Sequence, residues 1–96
     1  MKTFNLPVDY DNLSSRDRKL VREQYIQEQN GLCWWCNNPL NSNPSKEVQS
    51  KRVNWNLFPV GFKLHPIHLQ HNHDTGLTEG AVHMLCNAVM WQYYDK

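Results

Sequence analysis

His71-Asn72-His73-Asp74-Thr75-Gly76, followed at short range by His83-Met84-Leu85-Cys86-Asn87, decides how the rest of this chain is read. Two histidines flank a polar residue, a tight turn follows, and a spaced His/Cys pair ends in asparagine. These seventeen residues hold a candidate general base, a candidate oxygen ligand for a catalytic ion and half of a zinc site. The other half lies far upstream, in Cys33-Trp34-Trp35-Cys36. Thiolate and imidazole are ligands that zinc prefers, and four of them close a structural tetrahedron. Cys33, Cys36, His83 and Cys86 form two pairs, each with two intervening residues, so both members of a pair can reach one ion from a single turn. The competing readings are buried thiols beside a core histidine, and a redox C-x-x-C, for which the accompanying βαβ pattern is missing. His65-x-x-His68 competes as a ligand pair, but Pro66 between them favours two strand residues, one near phosphate. The expected zinc is structural and leaves no open position for chemistry.

Ninety-six residues make one domain, near the small end of what folds without a staple. The net charge is +1, which by itself announces no nucleic-acid partner. Its distribution says more. Residues 1–36 balance five basic against five acidic side chains, whereas residues 46–63 set Lys46, Lys51, Arg52 and Lys63 against Glu47 alone. A second basic cluster, Arg16, Arg18, Lys19 and Arg22, is interleaved with Asp17 and Glu23, so phosphate contact and a plain solvated helix face are equal readings. An odd count of three cysteines argues against a closed disulfide framework. With no signal peptide ahead of the C-x-x-C, a reducing cytoplasm is expected. No apolar run approaches the roughly 18–20 residues of a membrane span, so no membrane partner is expected.

Residues 1–12 are expected to be irregular. Ser14 or Ser15 caps a helix whose apolar positions are Leu20, Val21, Tyr25 and Ile26, and Asn30-Gly31 ends it. Residues 37–61 read as a long polar and basic loop insertion, with 37–50 wholly loop, a short strand at Val53–Leu57 and a turn at Pro59-Val60-Gly61. A strand is expected over residues 62–71, kept near an edge by Pro66, with 77–82 returning as the second arm of a hairpin. From His83 a terminal helix is expected to bury Leu85, Val89 and Gln92 with Met84, Ala88 and Trp91. The expected class is a small, zinc-stapled α+β fold: helix, knuckle, long loop, β-hairpin, helix.

Together these residues resemble a known family. Gln29-Asn30-Gly31-Leu32-Cys33-x-x-Cys36, Leu69-Gln70-His71-Asn72-His73-x-Thr75-Gly76 and Gly80-Ala81-Val82-His83-x-x-Cys86-Asn87 are similar to the HNH (ββα-metal, His-Me finger) endonucleases, and within them to the recombination endonuclease VII-like group of small phage-type nucleases. The resemblance covers roughly residues 16–95. It implies that His71 is the general base that takes a proton from the attacking water, and that His73 positions the site or contacts phosphate. It implies that the Asn87 carbonyl oxygen holds a catalytic Mg²⁺ or Mn²⁺. The partner implied is DNA, double-stranded or branched, and a branched substrate would call for a homodimer, because one chain presents one active site.

Three departures stand out. The family's carboxylate metal ligand falls on Gln70, a neutral amide, and hard cations gain much of their affinity from ligand charge. Gln70 then ligates through its oxygen, or His68, Asn72 or Asp74 contributes, or the site is degenerate and the chain is a zinc-stapled module that binds DNA or a protein. His83 stands where the family has a cysteine. Thirty-four residues separate Cys36 from His71, a longer stretch than the family pattern. That insertion carries basic residues and Trp55, so Lys51, Arg52, Lys63 and His68 are the expected DNA contacts. The aromatic residues Trp34, Trp35, Trp91, Tyr93 and Tyr94 are read as core or interface rather than as base-stacking platforms.

Overall fold

The structure is a computed structural model that describes residues 3–94. Its first helix, α1 (Ser15–Glu28), begins where the sequence places a cap: the Ser14 hydroxyl accepts the Asp17 N–H at 3.1 Å. It ends as a Schellman motif. Asn30 takes a left-handed φ of 57°, the Gly31 N–H reaches back to the Ile26 carbonyl at 2.8 Å, and the Asn30 N–H reaches Gln27 at 3.1 Å. The turn delivers the chain straight into the Cys33–Cys36 knuckle.

The hairpin forms about the expected turn, with β1 (Ile67–His71) antiparallel to β2 (Thr78–His83). Its turn is built by Asn72, whose side-chain oxygen accepts the N–H groups of Asp74 at 2.8 Å and Thr75 at 3.0 Å, while Gly76 takes a φ of 78°. A bulge interrupts the ladder between Gln70 and His71, so Gln70 pairs with Gly80 and His71 with Thr78. A bulge re-aims the side chains on either side of it. The last helix, α3 (Met84–Tyr94), follows β2 without a loop, and α1 and α3 both pack on the hairpin.

Six expectations need correction. The 37–50 loop contains a short helix, α2 (Lys46–Ser50), whose cap is Ser45 and which packs on α3. Val53–Leu57 is not a strand: Trp55–Leu57 is a 3₁₀ turn, because the Asn54 side chain accepts the Asn56 N–H and closes the backbone locally instead of leaving an edge to pair. Residues 62–64 form another 3₁₀ turn, and β1 begins only after Pro66. His83 ends β2 rather than opening the helix, and Trp91 is 42 % exposed where burial was expected. The irregular N-terminal segment is ordered into a 3₁₀ turn at Tyr10–Asn12, with Met1 and Lys2 outside the described residues.

The buried cluster comprises Cys33, Leu40, Val48, Ala81, Val82, Cys86, Val89 and Met90. Two of these, Leu40 and Val48, come from the polar insertion, which therefore closes one side of the core. The knuckle meets β2 edge-on. The Gln29 amide donates to the Ala81 carbonyl at 2.9 Å and accepts the Ala81 N–H at 2.8 Å, while the Trp34 N–H donates to the same carbonyl at 2.9 Å. One side chain thus pairs with both backbone groups of a strand residue, as a neighbouring strand would. The approach leaves no room beside Gly80, where a Cβ would lie 2.7 Å from Trp34 Cγ and 2.8 Å from Gln29 Oε1. Gly80→Ala is expected to lower stability by about 1–3 kcal/mol through this overpacking, measured by urea unfolding. An unchanged midpoint would show that the knuckle yields.

Candidate functional site

The four residues predicted as zinc ligands converge. Cys33, Cys36, His83 and Cys86 offer ligand atoms that all lie within 4.8 Å of one another, and all but the half-buried Cys36 are buried. A zinc tetrahedron with bonds of about 2.3 Å has edges of about 3.8 Å, so these donors stand within a small adjustment of closure. The His83 Nε2 lies 2.9 Å from the Pro39 carbonyl, which can only accept, so Nε2 carries the proton. That leaves Nδ1 as the bare nitrogen, 3.5 Å from Cys36 Sγ and 3.6 Å from Cys86 Sγ. A carbonyl that fixes the tautomer of a ligand histidine is the usual support of a metal site. The N–H groups of Trp35 and Cys36 point at Cys33 Sγ, at 3.4 and 3.5 Å, and stabilise a thiolate there. A hydrogen bond from Cys86 draws the Cys33 thiol far below its ordinary range, while the same bond and burial push Cys86 up. The donor chemistry fits a thiophilic divalent ion.

The catalytic candidates gather elsewhere. His68, Gln70, His71, His73 and Asn87 line a groove of about 380 Å³. Its opposite wall is α1, which contributes Arg18, Lys19 and Arg22, and Tyr10 joins from the N-terminal segment. Among the described residues, no carboxylate lines it. The helix face left open between phosphate contact and solvent therefore turns part of its positive charge onto the candidate histidines. Lys51 and Arg52 are not in this groove; they lie beside α3, where Lys51 Nζ sits over the Tyr93 ring at 5.4 Å and the Arg52 carbonyl accepts from Gln92 and Tyr93. Lys63 stands over Trp55 at 4.7 Å.

Tyr10 is the residue that sequence reasoning missed. Its ring stacks on His71 with centroids 3.9 Å apart and planes 8° from parallel, and the Arg18 guanidinium covers its other face at 3.9 Å. Tyr10 reaches this position because the N-terminal segment is bonded along the hairpin. The Thr78 N–H donates to Val8 at 2.9 Å and the Tyr10 N–H to Gly76 at 2.8 Å. A polar segment with no periodicity carries no sequence signal for that docking. His73 meets His71 edge-on at 4.8 Å.

At the floor of the groove, the Asn87 amide nitrogen lies 3.0 Å from His68 Nδ1. With that nitrogen donating, the carbonyl oxygen of Asn87 remains available to a cation. Gln70 is 2 % exposed, and its amide nitrogen donates to the His71 carbonyl at 2.9 Å and to Glu79 at 3.4 Å. Asn72, whose side-chain oxygen holds the turn, has little left for a metal. Among the described residues, the Cys₃His set is the only group of three or more His, Cys, Asp or Glu side chains placed to share an ion. Compared with family models, with curated proteins and with solved structures, the chain finds no match. Among the described residues, no helix is long and apolar enough to cross a membrane.

Two outcomes are expected. Purified protein binds one zinc per chain, and Cys86→Ser loses both the metal and the folded state, because the ion's binding energy is folding energy. Metal analysis with circular dichroism measures this, and a well-folded, metal-free protein contradicts it. Burial lowers the pKa of both His68 and His71, and the neighbouring His73 lowers His71 further. Proton NMR is therefore expected to place both midpoints below the usual value of about 6.5. The sign follows: the folded state binds these protons less readily than the unfolded chain. The stability they contribute is full above about pH 6.5 and is lost as pH falls through the lowered folded-state values. Midpoints at or above the usual value would overturn it.

Proposed function

We propose that this chain is a metal-dependent DNA endonuclease that hydrolyses phosphodiester bonds, with His71 as general base and a zinc-stapled ββα-metal fold. The observation that carries the reading is the carboxylate-free groove in which His71, His73 and Asn87 face Arg18, Lys19 and Arg22. A cation-lined groove suits a phosphate backbone, and α1 supplies contacts that position it without reading sequence. Depression of the His71 pKa keeps its imidazole neutral at pH 7, the form that accepts a proton from water. Tyr10, clamped by Arg18, restricts rotation of that imidazole. His73, beside it, offers a donor to phosphate. Asn87 and Gln70 supply the amide oxygens that would hold a divalent ion, and Mg²⁺ or Mn²⁺ there supplies positive charge to the scissile phosphate. Both donors are neutral, so substrate phosphate must complete the site.

A second reading is favoured by Gln70 itself. Its amide is committed to backbone and to Glu79, which is not part of the groove wall. A chain with this feature can keep the fold and the basic groove as a binding module without cutting. Nicking of supercoiled plasmid in Mg²⁺ or Mn²⁺ separates the two. The endonuclease is expected to lose at least ~100-fold in rate as His71→Ala, the scale of a lost general base, and to lose metal-dependent activity as Asn87→Ala. Gln70→Asp is expected to lower the metal concentration needed. DNA binding without nicking in any metal, or nicking equal in both alanine variants, would leave only the binding module.

A further inference from the structure

Between Val48 and His73 the chain carries no aspartate or glutamate, yet it carries Lys51, Arg52, Lys63 and four histidines. Within this acid-free segment stand the three most exposed large apolar side chains among the described residues: Val60 at 106 %, Leu64 at 77 % and Leu57 at 50 %. Isolated exposed apolar residues need no explanation, but three on one short loop do. The loop is held firmly from beneath. Phe58 packs against Phe62 at 4.6 Å and against Trp91 of α3 at 5.2 Å, and Trp55 joins them at 5.7 Å. The Phe62 N–H bonds Pro59 at 3.1 Å, the Leu64 N–H bonds Gly61 at 3.0 Å, and Gly61 takes the left-handed φ of 92° that this turn requires. Phe62 links the loop to the groove: its ring meets His68 at 4.6 Å, and it lines the same groove as His71 and Asn87.

We propose that Leu57, Val60 and Leu64 form an apolar wedge that seats against unstacked bases of the DNA whose backbone lies in the groove, while Lys63 takes a flanking phosphate. This rests on DNA as the substrate and names how it is held. Apolar side chains that enter a base step unstack and kink the duplex, at a cost that added phosphate contacts offset. Charge favours this occupant. A polyanion is complementary to an acid-free segment, whereas a second copy docked on the same face would bring Lys63 and the histidines against their own kind. Continuity favours it too: Phe62 belongs both to the aromatic cluster beneath the tip and to the groove that His71 and His73 line.

The test uses the full zinc-loaded chain as His71→Ala, which leaves DNA intact, with short duplexes that carry 2-aminopurine as a reporter of unstacking. Binding is expected to raise the fluorescence. Val60→Ser with Leu64→Ser in the same chain is expected to abolish the rise and weaken binding roughly tenfold. The salt dependence should keep its slope, because every cation remains. Both positions are exposed, so zinc content and circular dichroism should not change. Equal affinity with and without the tip overturns the wedge, as does binding with no change in fluorescence. It is also overturned if the tip variant loses only binding to phosphatidylserine vesicles, or only self-association in sedimentation, with DNA binding intact. Failure of the nuclease reading is distinguishable: tip-dependent unstacking by a chain whose unsubstituted form never nicks keeps the wedge and removes the enzyme. Nicking that ignores the tip removes the wedge alone, and absence of DNA binding removes both.

Discussion

The convergence of Cys33, Cys36, His83 and Cys86 is the constraint on which the rest of the molecule depends. A two-stranded hairpin is marginal in water by itself, and the buried cluster here contains mostly small side chains. Two of its eight members are themselves thiols of the metal group. Remove the cross-link and little apolar area remains to hold the knuckle against the β2–α3 junction. The same cross-link sets the site's geometry. His83 ends β2 and Cys86 lies on the first turn of α3, so the ion would fix the angle at which that helix leaves the strand. Asn87 follows Cys86 directly. Its approach to His68 across the groove is thus a consequence of how the structural group is closed.

A second layer of constraint is carried by backbone pairing rather than by apolar burial. Gln29 satisfies both backbone groups of Ala81, and Thr78 binds Val8 through its N–H and its hydroxyl. These contacts attach the end of α1 and the N-terminal segment to opposite ends of one strand. Hydrogen bonds of this kind contribute modestly one by one, about 1 kcal/mol net each, but leaving their partners unpaired costs more. They help place Tyr10 over His71, with Arg18 over the far face of Tyr10, so the immediate surroundings of the candidate base come from three separated parts of the chain.

The sequence makes some of this legible and not the rest, for reasons that differ by element. The Cys₃His group, α1 with its caps, the hairpin and α3 announce themselves because cysteine and histidine spacing, Ser14, Asn30-Gly31 and the Asp74-Thr75-Gly76 turn are local signals. The short helix Lys46–Ser50 and the 3₁₀ turn Trp55–Leu57 are decided by single side-chain caps at Ser45 and Asn54, which compete closely with extended backbone and leave no periodicity to read. Tyr10 depends on pairing with residues more than sixty positions away, which no window of sequence reports. The basic residues of α1 could be divided between groove and solvent only once the hairpin's position was known. Lys51 and Arg52, close to the groove in composition, prove to stand by α3.

On the proposed reading, Gln70 stands where the resemblance implies a carboxylate, and that difference is best understood beside the charge of the groove it lines. A carboxylate there would neutralise part of the field from Arg18, Lys19 and Arg22 and would draw the pKa of His71 upward, toward the protonated form that cannot act as a base. A neutral amide does the opposite on both counts. It leaves the groove more attractive to a polyanion and His71 more nearly deprotonated at neutral pH, while it weakens any hold on a free divalent ion. Metal affinity and phosphate affinity are therefore set against each other at this one position. On the proposed reading this balance favours the phosphate: a divalent ion would enter most readily together with a DNA backbone, whose oxygen would supply the negative charge that Gln70 withholds.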